Sequence, residues 1–220
     1  RMKLLSNLRP VPMQSLSLYL GVALAVLVAA AMASGCSSGP PPIDTTAHDQ
    51  ETRDIRARKN AMFRTAEDSP IPAEKRAGFA GLAYYDIRPE FHVPAFLTPD
   101  RTGTQTTITL DTSTHEPRRM RRVGTLGFTL NGQPYTLSAF ADPEDTAMQR
   151  LFVPFGDLTN SHETYGGGRY LDLDRTPTGI YDLDFNRAYH PYCVYNTTYE
   201  CPVPPRENRL AVAIPAGERL

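Results

Sequence analysis

Tryptophan is absent, cysteine occurs only three times, and 23 basic against 24 acidic residues leave a net charge of −1. So small a charge excludes a global field that would draw in nucleic acid or an anionic lipid surface. No CxxC pair is present, which argues against the usual thiol-redox chemistry. No catalytic triad is recognisable, and neither an internal repeat nor a second-domain boundary is visible. What is abundant is proline, 20 residues, within a chain that is 40% apolar. That combination reads as a turn-rich globular chain rather than a disordered one.

The N-terminal segment has the layout of an export leader. Lys3 and Arg9 are followed by a stretch from Leu16 to Ala33 with no charge, a cationic region leading into an apolar one. The run ends in Ala33-Ser34-Gly35-Cys36, then Ser37-Ser38-Gly39 and three prolines, a flexible and then stiff tether. An uncleaved membrane-spanning anchor is the alternative reading of the run. The small residues before Cys36 resemble a lipobox, although Ala33 stands where leucine is usual. The resemblance implies cleavage before Cys36, lipidation of that cysteine and anchoring to the membrane by its acyl chains. Ser37 resembles the choice that sends such proteins to the periplasmic face of the outer membrane. The expected organisation is therefore a signal peptide over 1–35, a tether over 36–45 and one domain over 46–220.

Within that domain, Thr46-x-x-Asp49 predicts a capped helix to about Thr65. Acids lead and bases follow along it, and its apolar face is narrow: Ile55, Met62 and Phe63. From Phe79 the period changes to two. Ile108/Leu110, Leu126/Phe128/Leu130, Tyr135/Leu137/Ala139 and Leu151/Val153/Phe155 each share a face, and Asn131-Gly132 marks a hairpin. Further short strands are expected at Ala83–Arg88, Phe91–Leu97, Arg169–Leu173, Gly179–Phe185 and Ala211–Ile214. The predicted fold is mainly β, an antiparallel sandwich or partly closed barrel with one N-terminal helix.

Functional residue types concentrate between Phe155 and Gly217. The matching motifs are Thr164-Tyr165-Gly166-Gly167-Gly168-Arg169-Tyr170-Leu171, Asp184-Phe185-Asn186-x-Ala188-Tyr189 and Pro191-x-Cys193-x-Tyr195, followed by Cys201-Pro202-x-Pro204-Pro205-x-Glu207-Asn208-x-Leu210. On these residues the chain resembles the domain-of-unknown-function-1684 family, over most of the exported part. The resemblance implies kinship but no activity. His190 departs from it, since family members more often carry asparagine there.

Several chemistries remain open on these residues. Gly166–Gly168 followed by Arg169 forms either an anion clamp or a glycine-rich hairpin with a structural ion pair. Asp182, Asp184 and Asn186 would share one face of an extended strand, with His190 as a nearby base or simply part of a polar turn. Cys193 and Cys201 are expected to form a disulfide; free thiols, or a metal site with His190 and Asp184, are the alternatives. Glu207 and Asn208 follow a rigid Pro-Pro turn that could aim both inward. Arg118–Arg122 is a basic run that splits between two strand faces and reads as a solvated edge. His48, His92, His115 and His162 are scattered and carry no motif.

These readings converge on a cell-envelope lipoprotein whose β-rich domain binds a small ligand or a partner. Candidate ligand-binding residues are Tyr165, Gly167, Arg169, Asp184, Asn186, Tyr189 and Asn208. The alternative is an extracytoplasmic hydrolase or metal-assisted enzyme built on Asp184, Arg169 and His190, with Asp184, His190 and Glu207 as catalytic candidates. No cofactor, no assigned metal and no nucleic-acid partner are expected; the expected partner is the membrane, through Cys36.

Overall fold

The hairpin marked by Asn131-Gly132 is the clearest link from sequence to fold. Both residues take positive φ, 51° and 75°, as a two-residue turn between right-twisting strands requires. Leu130 and Gln133 pair across it. The computed structural model describes residues 45–100, 107–114, 116–145, 147 and 149–220. The leader, Cys36 and the tether up to Asp44 lie outside the described residues, as does His115.

Among the described residues, two helices, α1 (Thr46–Thr65) and α2 (Ala73–Arg76), precede the strands. These are β1 (Ala83–Tyr84), β2 (His92–Pro99), β3 (Thr107–Leu110), β4 (Arg118–Leu130), β5 (Gln133–Ala141), β6 (Arg150–Phe155), β7 (Arg169–Asp174), β8 (Ile180–Asp184) and β9 (Glu218–Arg219). The main sheet runs β7-β6-β5-β4-β2-β8, all antiparallel, with β3 pairing the far end of β4. Tyr170 of β7 and Tyr189, beyond β8, exchange backbone hydrogen bonds of 2.9 and 3.0 Å. That bridge brings the two edges together and leaves a nearly closed barrel. β1 and β9 form a separate ribbon.

Alternate residues fill the barrel. Leu126, Leu137, Val153, Leu171 and Leu183 are fully buried there with Phe155 and Phe185, each large apolar side chain contributing roughly 2 kcal/mol. A smaller cluster of Leu110, Met120 and Phe140 lies apart from this core. Residues 122–124 carry a register shift against β5. Gly124 permits it, since a Cβ there would sit 2.3 Å from the Thr98 carbonyl oxygen.

β5 and β6 pair only at Phe140–Phe152. Where they part, the buried Asn208 amide takes the place of a ladder. It accepts from the Ser138 amide at 2.7 Å and donates to the Ser138 and Pro154 carbonyls at 2.9 and 2.7 Å. The expected strand at Ala211–Ile214 is an irregular segment instead. Its backbone satisfies single partners, such as the amide of Leu158 donating to Val212, rather than a ladder.

Helix α1 starts one residue beyond its cap, Thr45, which makes no side-chain capping bond. His48, Thr52, Arg56, Lys59 and Phe63 follow at spacings that set them on one stripe. Most of this stripe docks through polar groups. Arg56 donates to the Tyr85 and Asn186 carbonyls, and Asn60 accepts from the amide of Leu82.

Candidate functional site

A cleft of about 600 Å³ opens between the outer face of β4–β7 and the segment from Tyr189 to Pro202. The strands line it with residues two apart: Arg118 and Met120, Arg150 and Phe152, Tyr170 and Asp172. That is the pleat seen from outside, because side chains alternate across a sheet. Tyr192 and Tyr199 from the covering segment pack edge to face at 5.3 Å, and Tyr170 packs the same way on Phe152 at 4.7 Å and Tyr189 at 5.7 Å. The rim carries four carboxylates, Asp142, Asp145, Asp172 and Glu200, against three cations, Lys59, Arg118 and Arg150.

Tyr189 joins the polar and aromatic parts. Its hydroxyl donates to Asp172 at 3.0 Å, and the Lys59 ammonium lies 4.5 Å above its ring, within range of a cation–π contact. Burial first, and Asp172 second, push the Tyr189 phenol well above its ordinary range. The Asp172 carboxylate reaches solvent at the mouth of the cleft, yet the surrounding walls strip enough water to raise its pKa. The Tyr189 hydrogen bond and Arg150 partly offset that shift.

Behind Tyr189 lies a buried polar knot. Lys59 donates to Glu218 at 2.6 Å; the other Glu218 oxygen accepts from the His190 amide at 2.7 Å and the Tyr195 hydroxyl at 3.2 Å. The His190 ring accepts from the Tyr165 amide at 3.3 Å, which leaves its proton on the nitrogen facing Glu218, 3.8 Å away. Although a carboxylate is that close, burial, Arg169 and Lys59 lower the imidazole pKa to about 3. Lys59 already neutralises Glu218, so the ring stays uncharged.

The remaining sequence candidates occupy separate surroundings. Arg169 and Asp157 form an ion pair of 2.9 Å with both side chains fully buried. The guanidinium also donates to the carbonyls of Ile214, Ala216 and Glu218. Asp184 is buried with His48 at 2.8 Å and Arg187 at 3.0 Å, and it caps a 3-10 turn through the Asn186 amide. Asn186 does not continue the strand face; its side chain clips Arg88 through the amide and carbonyl. Gly167 stacks against the Tyr165 ring, and Glu207 is exposed. Among the described residues no hydrogen bond or ion pair joins Asp184, His190 and Glu207. Of the ligand-binding candidates, only Tyr189 lines the cleft.

Cys193 and Cys201 lie side by side, but as free thiols in place of the expected disulfide. The Cys201 sulfur accepts from the Cys193 amide at 3.2 Å, while the Cys193 sulfur turns toward the Tyr165 hydroxyl at 4.0 Å. Burial, with Cys193 adjacent, raises the Cys201 thiol to about 12, so it is protonated and a poor nucleophile at neutral pH.

Residues 77–219 match the family model described as "Protein of unknown function (DUF1684)". Among solved structures, the chain is similar to a solution NMR structure of an uncharacterized protein from Haloarcula marismortui. The two are 39% identical over 80% of this chain and 96% of that one, with a TM-score of 0.63. No curated protein matches the chain.

Proposed function

Because the chain belongs to the DUF1684 family, which brings no activity with it, we propose from the site itself that the domain binds a small ring-bearing polar ligand in the β4–β7 cleft, held at the cell envelope by a lipidated Cys36. The observation that carries this reading is the cleft: about 600 Å³, walled by aromatic rings and rimmed by hydrogen-bonding groups of both signs. Cavities of that size with a few convergent polar groups suit small molecules. Four carboxylates against three cations leave no field for a polyanion, so a neutral or zwitterionic ligand fits best. A saccharide unit, with a C–H face to stack and hydroxyls to bond, has that chemistry.

Protein-observed NMR with oligosaccharides and, separately, aromatic amines tests the ligand. Shifts should centre on Tyr170, Tyr189 and Tyr199, and Tyr199→Ala should weaken binding at least about tenfold as an aromatic anchor is lost. The cleft is excluded if neither class of probe perturbs it, or if Tyr199→Ala leaves affinity intact. The anchor rests on the uncharged Leu16–Ala33 run ending in Ser34-Gly35-Cys36. Radiolabelled palmitate should tag the parent chain and leave Cys36→Ser unlabelled. A parent that is membrane-bound but takes up no label would favour an uncleaved span.

A further inference from the structure

We propose a divalent transition-metal site of the zinc type where the first turn of α1 meets the β2–β8 edge, formed by His48, His92 and Asp184 with Asp182 as a fourth donor. One donor atom from each of the first three lies within 4.8 Å of the others. The two imidazoles stack at 4.3 Å with 21° between their planes. His48 Nε2 is 2.8 Å from Asp184 Oδ2, and His92 Nε2 contacts Asp182 Oδ1. Asp182 and Asp184 are two apart on β8 and point to the same outer face. Three elements distant in sequence thus bring two imidazoles and two carboxylates together.

Two imidazoles with carboxylate oxygens form a borderline donor set of the kind zinc accepts. A tetrahedral ion with bonds of about 2.0–2.2 Å needs donors about 3.3 Å apart, so the hydrogen-bonded His48–Asp184 and His92–Asp182 pairs must open to admit it while the more distant donors, up to 4.8 Å apart, close in. Their exposure permits it. Asp184 is fixed at the bottom with 2% of its side chain exposed, while His48, His92 and Asp182 are 15%, 30% and 65% exposed. A shallow hollow of about 260 Å³ lined by His92 and Asp182 gives an entry path. Asp49 Oδ1 lies 3.5 Å from His48 Nδ1, the outer carboxylate that orients a metal-bound histidine.

The local charge also suits a dication. Asp49, Asp182, Asp184 and Glu51 face two guanidiniums, Arg187, which holds Glu51 and Asp184 at 3.0 Å each, and Arg56, which lies within the field of Asp184. Arg187 keeps Glu51 when the metal takes the outer Asp184 oxygen, whose partner oxygen stays with the Asn186 amide. An ion here would pin α1 to the barrel edge, where the helix otherwise docks chiefly through polar contacts. This site lies apart from the cleft, so each reading stands or falls without the other.

The test is calorimetric titration of zinc into the full chain, stripped with chelator and dialysed, at pH 7.5. One equivalent should bind and raise the melting temperature, and His48→Ala and His92→Ala should each weaken binding at least about tenfold. The exposed His162→Ala should bind as the parent does. His92→Ala keeps the test open because that side chain is partly exposed and its loss spares the fold. Absence of binding by the folded parent would overturn the proposal. So would affinity unchanged in both histidine variants, or binding lost only with Cys193→Ser, which would place the metal at the thiols.

Discussion

Arg169→Leu should destabilise the fold by about 3–5 kcal/mol, read as a lower denaturant midpoint with an unchanged slope. The guanidinium and Asp157 have no side-chain surface in contact with water. Removing the cation leaves a buried carboxylate whose remaining donors are Thr159 and the Ile214 amide. It also strips a donor from the carbonyls of Ile214, Ala216 and Glu218, which tie the C-terminal segment to β7. A loss of this size is a large share of the ~5–15 kcal/mol that holds a domain together. Asp157→Asn should cost less, because the amide still accepts from Thr159 while ending the charge pairing. The double variant should cost clearly less than the sum of the two, since each single change strands the other partner. A single-variant loss under about 1 kcal/mol would mean that the guanidinium is not structural, and would revive its role as an anion clamp.

The β part of the fold was legible because alternation reports burial directly. Leu126, Phe128 and Leu130 face the core as the period requires, and Asn131-Gly132 turns the chain. The same period carries a second message that is easily discounted. Residues out of phase with the core, such as Phe152 and Asp172, read as solvated until something covers them. Here the segment from Tyr189 to Pro202 does so, and its path depends on contacts such as the Tyr170–Tyr189 bridge. Arg118–Arg122 failed as a simple edge for a related reason. Arg122 pairs with Asp100, Arg118 faces the cleft, and both Met120 and Arg121 are buried where the register shift disturbs the alternation.

Helix α1 was visible in outline and opaque in purpose. Its extent, Thr46–Thr65, matches the reading from charge order, although the cap is Thr45 rather than Thr46 and makes no side-chain capping bond. Its docking face follows only in part: Phe63 is buried as hydropathy implies, but the rest of the grip on the barrel is His48, Arg56 and Lys59 rather than Ile55 and Met62. Those three lie outside the stretch that matches the family, and their partners are 29 to 159 residues away in sequence. No local pattern encodes such a pairing. The glycines before Arg169 show the converse: the residue types were conspicuous, but the chemistry they serve is packing. A Cβ on Gly168, at φ 94°, would sit 2.6 Å from the Phe155 carbonyl oxygen and from the Pro204 ring.

Acid should expose the buried His190, and the sign of the effect separates two views of that residue. With its pKa at about 3 in the fold and about 6.5 when unfolded, the ring takes up a proton only on unfolding between those limits. The stability tied to the neutral ring is complete above about pH 6.5 and falls by roughly 1.4 kcal/mol for each pH unit toward 3. His190→Asn lacks this titration but can still accept from the Tyr165 amide. Titrations common to both proteins cancel, so the variant should gain about 2 kcal/mol on the parent between pH 7 and pH 5. Urea unfolding of both proteins at the two pH values measures the difference directly. If Glu218, 3.8 Å away, governed the ring instead, its pKa would rise and the parent would gain on the variant in acid. Because Lys59 and the Tyr195 hydroxyl already occupy that carboxylate, desolvation should win, and asparagine should make the acid-resistant form.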